Sequence, residues 1–240
     1  MTTADGTTPT LLLSPAALGL LGEFLPDRAD SPFAAPVPDP VSHLRRATID
    51  GLHSRGLLKL VDDRWSPSEE LAGLIAIADA ASDALAVTIA GAEQASVTWL
   101  RSDAATLEQR WAPDFAAYAV QAIPTELAAR RAIDLATSPA PLVDAAAGPA
   151  ADAAASEPSG EPGPDLGPET RLICVERRRW QPEGTDDRVQ GLRLEWVDAG
   201  TAGRWLVDRE GDAPVLRELP EADLLRHVAD LTAPATPSAR

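Results

Sequence analysis

Two stretches of this sequence resemble each other, and such a repeat constrains the fold more strongly than any other feature. The stretches are residues 123–136 and 219–232, and in each an apolar residue is followed by proline. Aligned without gaps, they match at the pairs Pro124 and Pro220, Arg130 and Arg226, Asp134 and Asp230, and Leu135 and Leu231. Proline has a fixed φ and no N–H, so it suits the first turn of a helix. Each stretch is therefore predicted to be a helix entered through its proline.

The resemblance continues upstream of the two prolines. Trp99 and Trp196 stand at nearly the same distance before them, each in an apolar, strand-like segment. In the second helix, apolar residues recur at helical spacing and predict one buried face, formed by Leu224, Leu225, Val228 and Leu231. Two interpretations stay open, a duplicated α+β unit or a chance similarity in a chain rich in alanine and arginine.

The segments before each helix have the two-residue period of strands. Those before the first helix are residues 85–89, 96–100, 106–111 and 116–123. Those before the second helix are residues 171–175, 190–197, 203–207 and 214–219, with a turn at 209–212. The alternation predicts that Leu192, Leu194 and Trp196 face the core. Arg193 and Glu195, which stand between them, are predicted to face solvent.

The N-terminal part is predicted to be helical. Ser14 and Pro15 begin a leucine-rich helix with one apolar face, made of Leu18, Leu21 and Leu25. Residues 40–82 then predict a winged-helix-like lobe of helix, two-stranded turn and helix. The first of these helices is expected to bury Val41, Leu44, Thr48 and Leu52. Ser66 and Glu69 are predicted to form a capping box for the second helix, whose buried face is Leu71, Leu74, Ile75 and Ala78.

Low-complexity segments set the expected domain boundaries. Residues 137–169 are rich in proline, alanine and acidic residues, contain no Lys or Arg, and offer little large apolar area. We expect them to be a disordered acidic linker. Residues 1–13 and 233–240 are expected to be a disordered N-terminus and a disordered tail. The first α+β unit, including the helical lobe, would then span 14–136, and the second would span 170–232. The predicted fold class is α+β, with two pseudo-symmetric units of antiparallel β-meander plus closing helix and an N-terminal helical lobe.

The charge of the chain bears on its partners. A formal net charge of −16 repels the backbone of nucleic acids. The helical lobe is either a DNA-binding module, whose arginines contact phosphates, or a structural lobe, whose arginines are solvated. The arginines in question are Arg45, Arg46, Arg55 and Arg64. Nearby acidic residues cancel their charge and favour the structural interpretation; they are Asp50, Asp62, Asp63, Glu69 and Glu70. We therefore expect no nucleic-acid partner.

No arrangement typical of catalysis or of a cofactor site is present in the sequence. The three histidines share no metal-ligand spacing with cysteine or carboxylates; they are His43, His53 and His227. Acidic pairs at residues 62–63 and 186–187 could bind a cation, but they stand in turn-like segments, where such residues are usual. Cys174, the single cysteine, lies in an apolar run that is typical of a small buried side chain. We expect no enzyme activity, no metal and no cofactor.

The sequence also bears on where the protein resides. A single cysteine rules out an internal disulfide and fits a reducing cytoplasm. The N-terminus has no basic region before its short apolar run, and no apolar stretch approaches the length of a membrane span. We expect a cytoplasmic protein without a membrane partner.

The aromatic residues indicate where a partner could bind. The chain has six tryptophans against one tyrosine and three phenylalanines. Trp99, Trp196 and Trp205 fall on predicted strands, so most are expected in the core, and an exposed one would be a candidate partner anchor. Residues 177–179 are arginines next to Trp180, and we interpret them as a solvated strand end rather than as a nucleic-acid patch.

This organisation resembles the EspG family of chaperones of type VII secretion systems. The similarity lies in the leucine helix after Ser14, in residues 56–67 leading into a helix, and in the meander closed by a proline-led helix at 123–124 and again at 219–220. The resemblance implies a pseudo-two-fold α+β fold that escorts secreted helical substrates, PE–PPE-like or WXG100-like, in the cytoplasm. It assigns no partner-binding residue and no oligomeric state. The alternatives are a winged-helix DNA-binding regulator and a structural or ligand-binding protein of a secretion or phage locus.

Overall fold

A computed structural model shows an α+β protein. It describes residues 10–25, 32–33, 35, 38–39, 42–91, 94–137, 170–179, 190–209 and 214–233. Within these residues the chain forms a nine-stranded antiparallel sheet, a two-stranded hairpin and five α-helices. The predicted α+β class is confirmed.

The elements are numbered in chain order. The strands are β1 (Leu11–Leu13), β2 (Leu58–Val61), β3 (Arg64–Pro67), β4 (Asp83–Ala90), β5 (Ala95–Arg101), β6 (Thr106–Ala112), β7 (Ala117–Ile123), β8 (Arg171–Arg179), β9 (Gln190–Asp198), β10 (Arg204–Asp208) and β11 (Val215–Glu218). The helices are α1 (Pro15–Leu20), α2 (His43–Ser54), α3 (Glu69–Asp79), α4 (Thr125–Thr137) and α5 (Glu221–Thr232). The large sheet has the strand order β1-β7-β6-β5-β4-β8-β9-β10-β11, and β2 pairs with β3 in the hairpin. Pro124 and Pro220 stand immediately before α4 and α5, so both predicted proline-led helices are confirmed.

The chain divides into two compact units, each discontinuous in sequence. The first combines residues 1–84 and 98–128, and the second combines residues 85–97 and 129–240. The units predicted from the sequence, 14–136 and 170–232, are continuous instead. Residues 85–97 fall in the second unit because β4 is the hydrogen-bonded neighbour of β8, which lies far along the chain.

In the first unit, α1 begins at a serine cap. The hydroxyl oxygen of Ser14 accepts a hydrogen bond from the backbone N–H of Ala17 at 3.2 Å. This bond satisfies one of the amide groups that a helix start leaves without a partner. The predicted apolar face is buried, namely Leu18, Leu21 and Leu25.

The segments expected to be disordered lie mostly outside the described residues. Thr137 is an exception because it ends α4, and Leu11–Leu13 are another because they form β1, which pairs antiparallel with β7. That pairing gives the backbone of a short leucine run its hydrogen bonds, which local sequence did not indicate. Residues 1–9, 138–169 and 234–240 lie outside the described part of the chain, as do residues 210–213 of the predicted turn.

The predicted buried face of α2 is only partly correct. Leu52 is buried as predicted and Thr48 is half-buried, whereas Leu44 is 59% exposed and the unpredicted Ile49 is buried. Val41, the fourth predicted residue, lies outside the described residues. The helix packs against α1 and β2. Apolar spacing alone does not show how far a buried face extends along a helix, because that depends on the elements that pack against it.

The hairpin of β2 and β3 turns through two aspartates in the left-handed region. Asp62 has a φ of 48° and Asp63 a φ of 60°. Two successive positive φ values are typical of the two-residue turns that suit the twist of a hairpin. The predicted tight turn is confirmed, and it explains this acidic pair without a cation.

The start of α3 differs from the predicted capping box by two residues. Ser66 continues β3 opposite Lys59 instead of capping the helix. The cap is Ser68, whose hydroxyl oxygen accepts a hydrogen bond from the N–H of Leu71 at 3.3 Å. The predicted buried face of this helix is confirmed, namely Leu71, Leu74, Ile75 and Ala78.

In the second unit, α5 packs on one side of β8 and β9. The strand residues buried on that side include Ile173, Val175 and Trp196. The helix residues buried there are Leu224, Val228 and Leu231, in agreement with the prediction. Leu225 is 43% exposed and does not belong to the buried face.

The alternation predicted for β9 is wrong at two positions. Leu192 is 56% exposed, although it was predicted to face the core. Arg177, the cross-strand partner of Leu192, donates a hydrogen bond to the carbonyl oxygen of Leu231 in the last turn of α5. The helix therefore ends beside this pair. Glu195 is only 5% exposed, although it was predicted to face solvent. Two arginines enclose its carboxylate.

Candidate protein-binding face

One side of β8–β11 carries a set of half-exposed apolar side chains. The strand register places Leu172 beside Val197, Val197 beside Trp205, and Val207 beside Leu216. Paired residues of neighbouring antiparallel strands lie on the same side of a sheet. Each of these side chains is partly exposed. We call this surface the open face, and its apolar members are Leu172, Cys174, Val197, Trp205, Val207 and Leu216.

The opposite side of β8 and β9 is covered by α5. Adjacent residues of a strand point to opposite sides, so the open face alternates along β8 with the fully buried Ile173 and Val175. Buried and partly exposed residues alternate along the same strand, so the open face is not exposed merely because its residues lie at strand ends. It reflects a side of the sheet that α5 does not cover.

Trp205 is the aromatic member of the open face. Its indole lies close to Gly203, where an added Cβ would stand 3.5 Å from Trp205 Cη2. Gly203 has a φ of 116°, which glycine adopts far more readily than other residues. A surface depression of about 530 Å³ lies at this end of the sheet, and its lining includes Trp205, Arg204, Glu218 and Glu221.

A charged cluster, which we call the Glu195 triad, lies on the open face. Glu195 Oε1 accepts a hydrogen bond from Arg193 Nε at 2.9 Å and another from Arg193 Nη2. Glu195 Oε2 accepts a hydrogen bond from Arg209 Nε at 2.5 Å. The carboxylate is buried, while the side chains of Arg193 and Arg209 are 56% and 59% exposed.

The electrostatics of the triad favour the ionised carboxylate. Burial raises the pKa of Glu195, but the hydrogen bonds from Arg209 and Arg193 outweigh it and hold the pKa below its ordinary value. The hydrogen bond to Glu195 raises the pKa of Arg193. The triad therefore consists of two cations held around one anion and has a net charge of +1.

Cys174 lies directly opposite Glu195 across β8 and β9. Burial raises the pKa of its thiol to about 11, and neighbouring charges of both signs act in addition. The thiol is therefore protonated at neutral pH, and only the thiolate is strongly nucleophilic. Cys174 acts here as a small apolar side chain, but it is partly exposed rather than buried as the sequence predicted.

The residues that the sequence singled out for chemistry do not come together. His43 and His53 lie on α2, and His227 lies on α5. His53 Nδ1 is 3.0 Å from the carbonyl oxygen of Leu58, and its ring packs edge-on against Trp65. Across the described ranges, no group of three or more His, Cys, Asp or Glu side chains could hold a metal ion. The second acidic pair, residues 186–187, lies outside those ranges.

Of the three tryptophans that the sequence singled out on strands, two lie in the core and one is partly exposed; Trp111 on β6 is also only partly buried. Trp99 and Trp196 are fully buried, whereas Trp205 is only partly buried. Of the arginine run, Arg178 and Arg179 are exposed, in agreement with a solvated strand end. Arg177 is buried, which the sequence did not predict. Trp180 lies outside the described residues.

Sequence reasoning missed the Glu195 triad because it assigned a charged residue on an alternating strand to solvent. The spacing Arg193-x-Glu195 was a usable signal, because residues two apart on a strand lie on the same side. Arg209 gave no signal, because it lies 14 residues away and meets Glu195 only when β9 and β10 pair.

Neither a membrane-spanning helix in the described residues nor a match to a known family was found. Within the part of the chain that the structure describes, no helix is long and apolar enough to cross a membrane. No known family model matches the sequence, and no curated protein matches it.

Proposed function

We propose that this chain is a non-enzymatic, protein-binding chaperone or adaptor of a type VII secretion system that escorts helical secreted substrates in the cytoplasm. The observation that carries the proposal is the open face, a contiguous and half-exposed apolar surface with Trp205 among its members. An amphipathic helix can bury its apolar stripe on such a surface, and aromatic residues often supply the strongest contacts of an interface. The class of client, a secreted helical protein, is taken from the resemblance of the sequence to the EspG family.

The finer features of the fold belong to the same proposal. A pseudo-two-fold repeat is supported by the order of elements, since α4 follows β7 as α5 follows β11. Trp99 and Trp196 support it further, because both are fully buried strand residues. The order α2, β2, β3 and α3 supports a winged-helix-like N-terminal lobe.

The test is capture of partners by the full chain in an extract of its native cells, with identification by mass spectrometry. We expect stoichiometric recovery of a helical secreted protein. Leu216→Arg places a charge on the open face and should abolish the recovery. Leu225→Arg changes an exposed leucine of α5 instead, and it should leave the recovery unchanged. Recovery of no protein, or a client that Leu216→Arg still retains, would contradict the proposal.

The DNA-binding alternative is decided by the same experiment. Arg45, one of the arginines proposed as phosphate contacts, is paired with Glu23 through a 2.6 Å contact between Nη2 and Oε2. Arg46, Arg55 and Arg64 are exposed. Recovery of DNA without protein would favour the winged-helix regulator over the chaperone.

A further inference from the structure

The arginines of the Glu195 triad have donors left over. A guanidinium carries five N–H groups. Arg209 uses only its Nε, and Arg193 uses its Nε and Nη2, in both cases towards Glu195. Among the described residues, neither side chain has another acceptor. Because both side chains are more than half exposed, the unused donors are accessible from solvent.

The two arginines face each other across neighbouring strands. Arg204 is paired with Asp198, and Trp205 with Val197. Continued by the same register, this pairing places Arg209 opposite Arg193, on the side of the open face. A carboxylate that approaches from outside would therefore meet donors from two side chains at once. Glu195 holds both of them in place, so little conformational entropy is lost on binding.

The other charges of the open face leave the excess positive charge at the triad. Glu176 lies opposite Arg193 and acts on it electrostatically, but Glu176 also pairs with Arg178, with 2.7 Å between Oε1 and Nε, so this neighbouring pair adds no net charge. Glu218 lies opposite Trp205, in the lining of the depression at the other end of the face. The neighbours of the triad on this face are thus apolar side chains and one ion pair without net charge, and the triad keeps its charge of +1.

We propose that the open face binds an amphipathic helix of a partner protein that carries an Asp or Glu side chain within its apolar stripe, and that this carboxylate docks between Arg193 and Arg209. The proposal rests on the proposed function and adds the chemistry of the client. A second copy of this chain is the less favoured occupant, since its net charge of −16 opposes self-association. The positive triad complements an acidic group, and this complementarity favours a helix that carries a carboxylate over a second copy of the chain.

The probe is a designed amphipathic peptide of about 18 residues, or five helical turns, with a leucine stripe and one central Glu in that stripe. Two matched peptides carry Gln or Lys at the same position. The Kd of each is measured against the full chain by fluorescence anisotropy. We expect the Glu peptide to bind about tenfold more tightly than the Gln peptide, and more tightly still relative to the Lys peptide.

Two variants connect this preference to the triad. Arg209→Gln should bring the Glu-to-Gln ratio close to one, and Arg209→Lys should restore part of it. Arg217→Gln is the control, because Arg217 is similarly exposed but pairs with Asp208 on the side of α5. It should leave the ratio unchanged. A thermal melt of each variant checks folding, and in the wild-type chain the preference should weaken as salt rises.

The outcomes separate this inference from the proposed function. Equal binding of all three peptides would overturn carboxylate recognition and leave the chaperone proposal standing. A preference for Glu that persists in Arg209→Gln would overturn the role of the triad. If none of the peptides bound, both proposals would fail.

Discussion

The two buried tryptophans of the sheet should respond differently to the same substitution. Trp99 Nε1 donates a hydrogen bond to Glu108 Oε2 at 2.9 Å, and both side chains are buried. Trp196 is equally buried, but within the described residues its Nε1 has no acceptor. Trp99→Phe and Trp196→Phe remove the same atoms. The difference between the two variants therefore isolates the indole N–H.

The expected difference follows from the cost of buried polar groups. Trp99→Phe removes a hydrogen bond to a carboxylate, which is worth about 1.5–3 kcal/mol. Glu108 keeps a hydrogen bond from Gln121 Nε2 at 2.8 Å, so the lower end of that range applies. Trp196→Phe removes a donor whose burial without a partner costs about 1–3 kcal/mol. The free energy of unfolding should therefore fall by at least about 2 kcal/mol more in Trp99→Phe than in Trp196→Phe.

The assay is urea unfolding of both variants, followed by far-UV circular dichroism because the substitutions remove fluorophores. For a chain of this size the difference corresponds to about 4–8 °C in Tm. Trp205→Phe is the control, because Trp205 is partly exposed and should change stability least. Equal losses in the two buried variants, or a larger loss in Trp196→Phe, would refute the reasoning.

Four further predictions concern single sites. The buried carboxylate of Asp83 lies 2.5 Å from Arg101 Nε, and Arg101→Met removes this cation. The variant should lower the free energy of unfolding by about 3–5 kcal/mol. Replacing both residues by apolar ones should recover much of that loss in the same urea assay. Ala116→Gly should raise stability by about 1 kcal/mol in a thermal melt, because Ala116 has a φ of 44°, and a loss would contradict the strain argument. Alkylation of Cys174 by iodoacetamide in the folded chain should still accelerate up to about pH 11, following its raised pKa, and a plateau near pH 9 would disagree. Glu195 has a folded-state pKa below its ordinary 4.5, so the stability it contributes is present above pH 4.5 and is lost as pH falls through that lower pKa. Glu195→Gln should therefore make the free energy of unfolding depend less on pH in the acid range. An unchanged dependence would argue against the triad.

Local patterns in the sequence were sufficient where neighbours along the chain make the interaction. Ser14 caps α1 through an N–H three residues away, and the Asp62–Asp63 turn joins adjacent strands. The proline-led helices α4 and α5 and the strands before them were predicted for the same reason. Such elements depend on dihedral preferences and short-range hydrogen bonds, which the sequence contains directly.

The failed predictions share a different cause. The exposure of Leu44 and Leu192 depends on which surface packs against α2 and on where α5 ends above the sheet. The shift of the α3 cap to Ser68 follows from β3 continuing through Ser66 to pair with β2. In each case a local preference was overridden by a contact with another element.

The sequence by itself determined the α+β class and most element positions, because periodicity and turn chemistry act between residues close in the chain. Only the tertiary structure decided which side of β8–β11 stays open and which residues gather there. Glu195 and Arg209 become neighbours because β9 pairs with β10, and α5 covers only one side of β8 and β9. The candidate binding face is thus a product of strand order and helix placement, which depend on the packing of the whole chain.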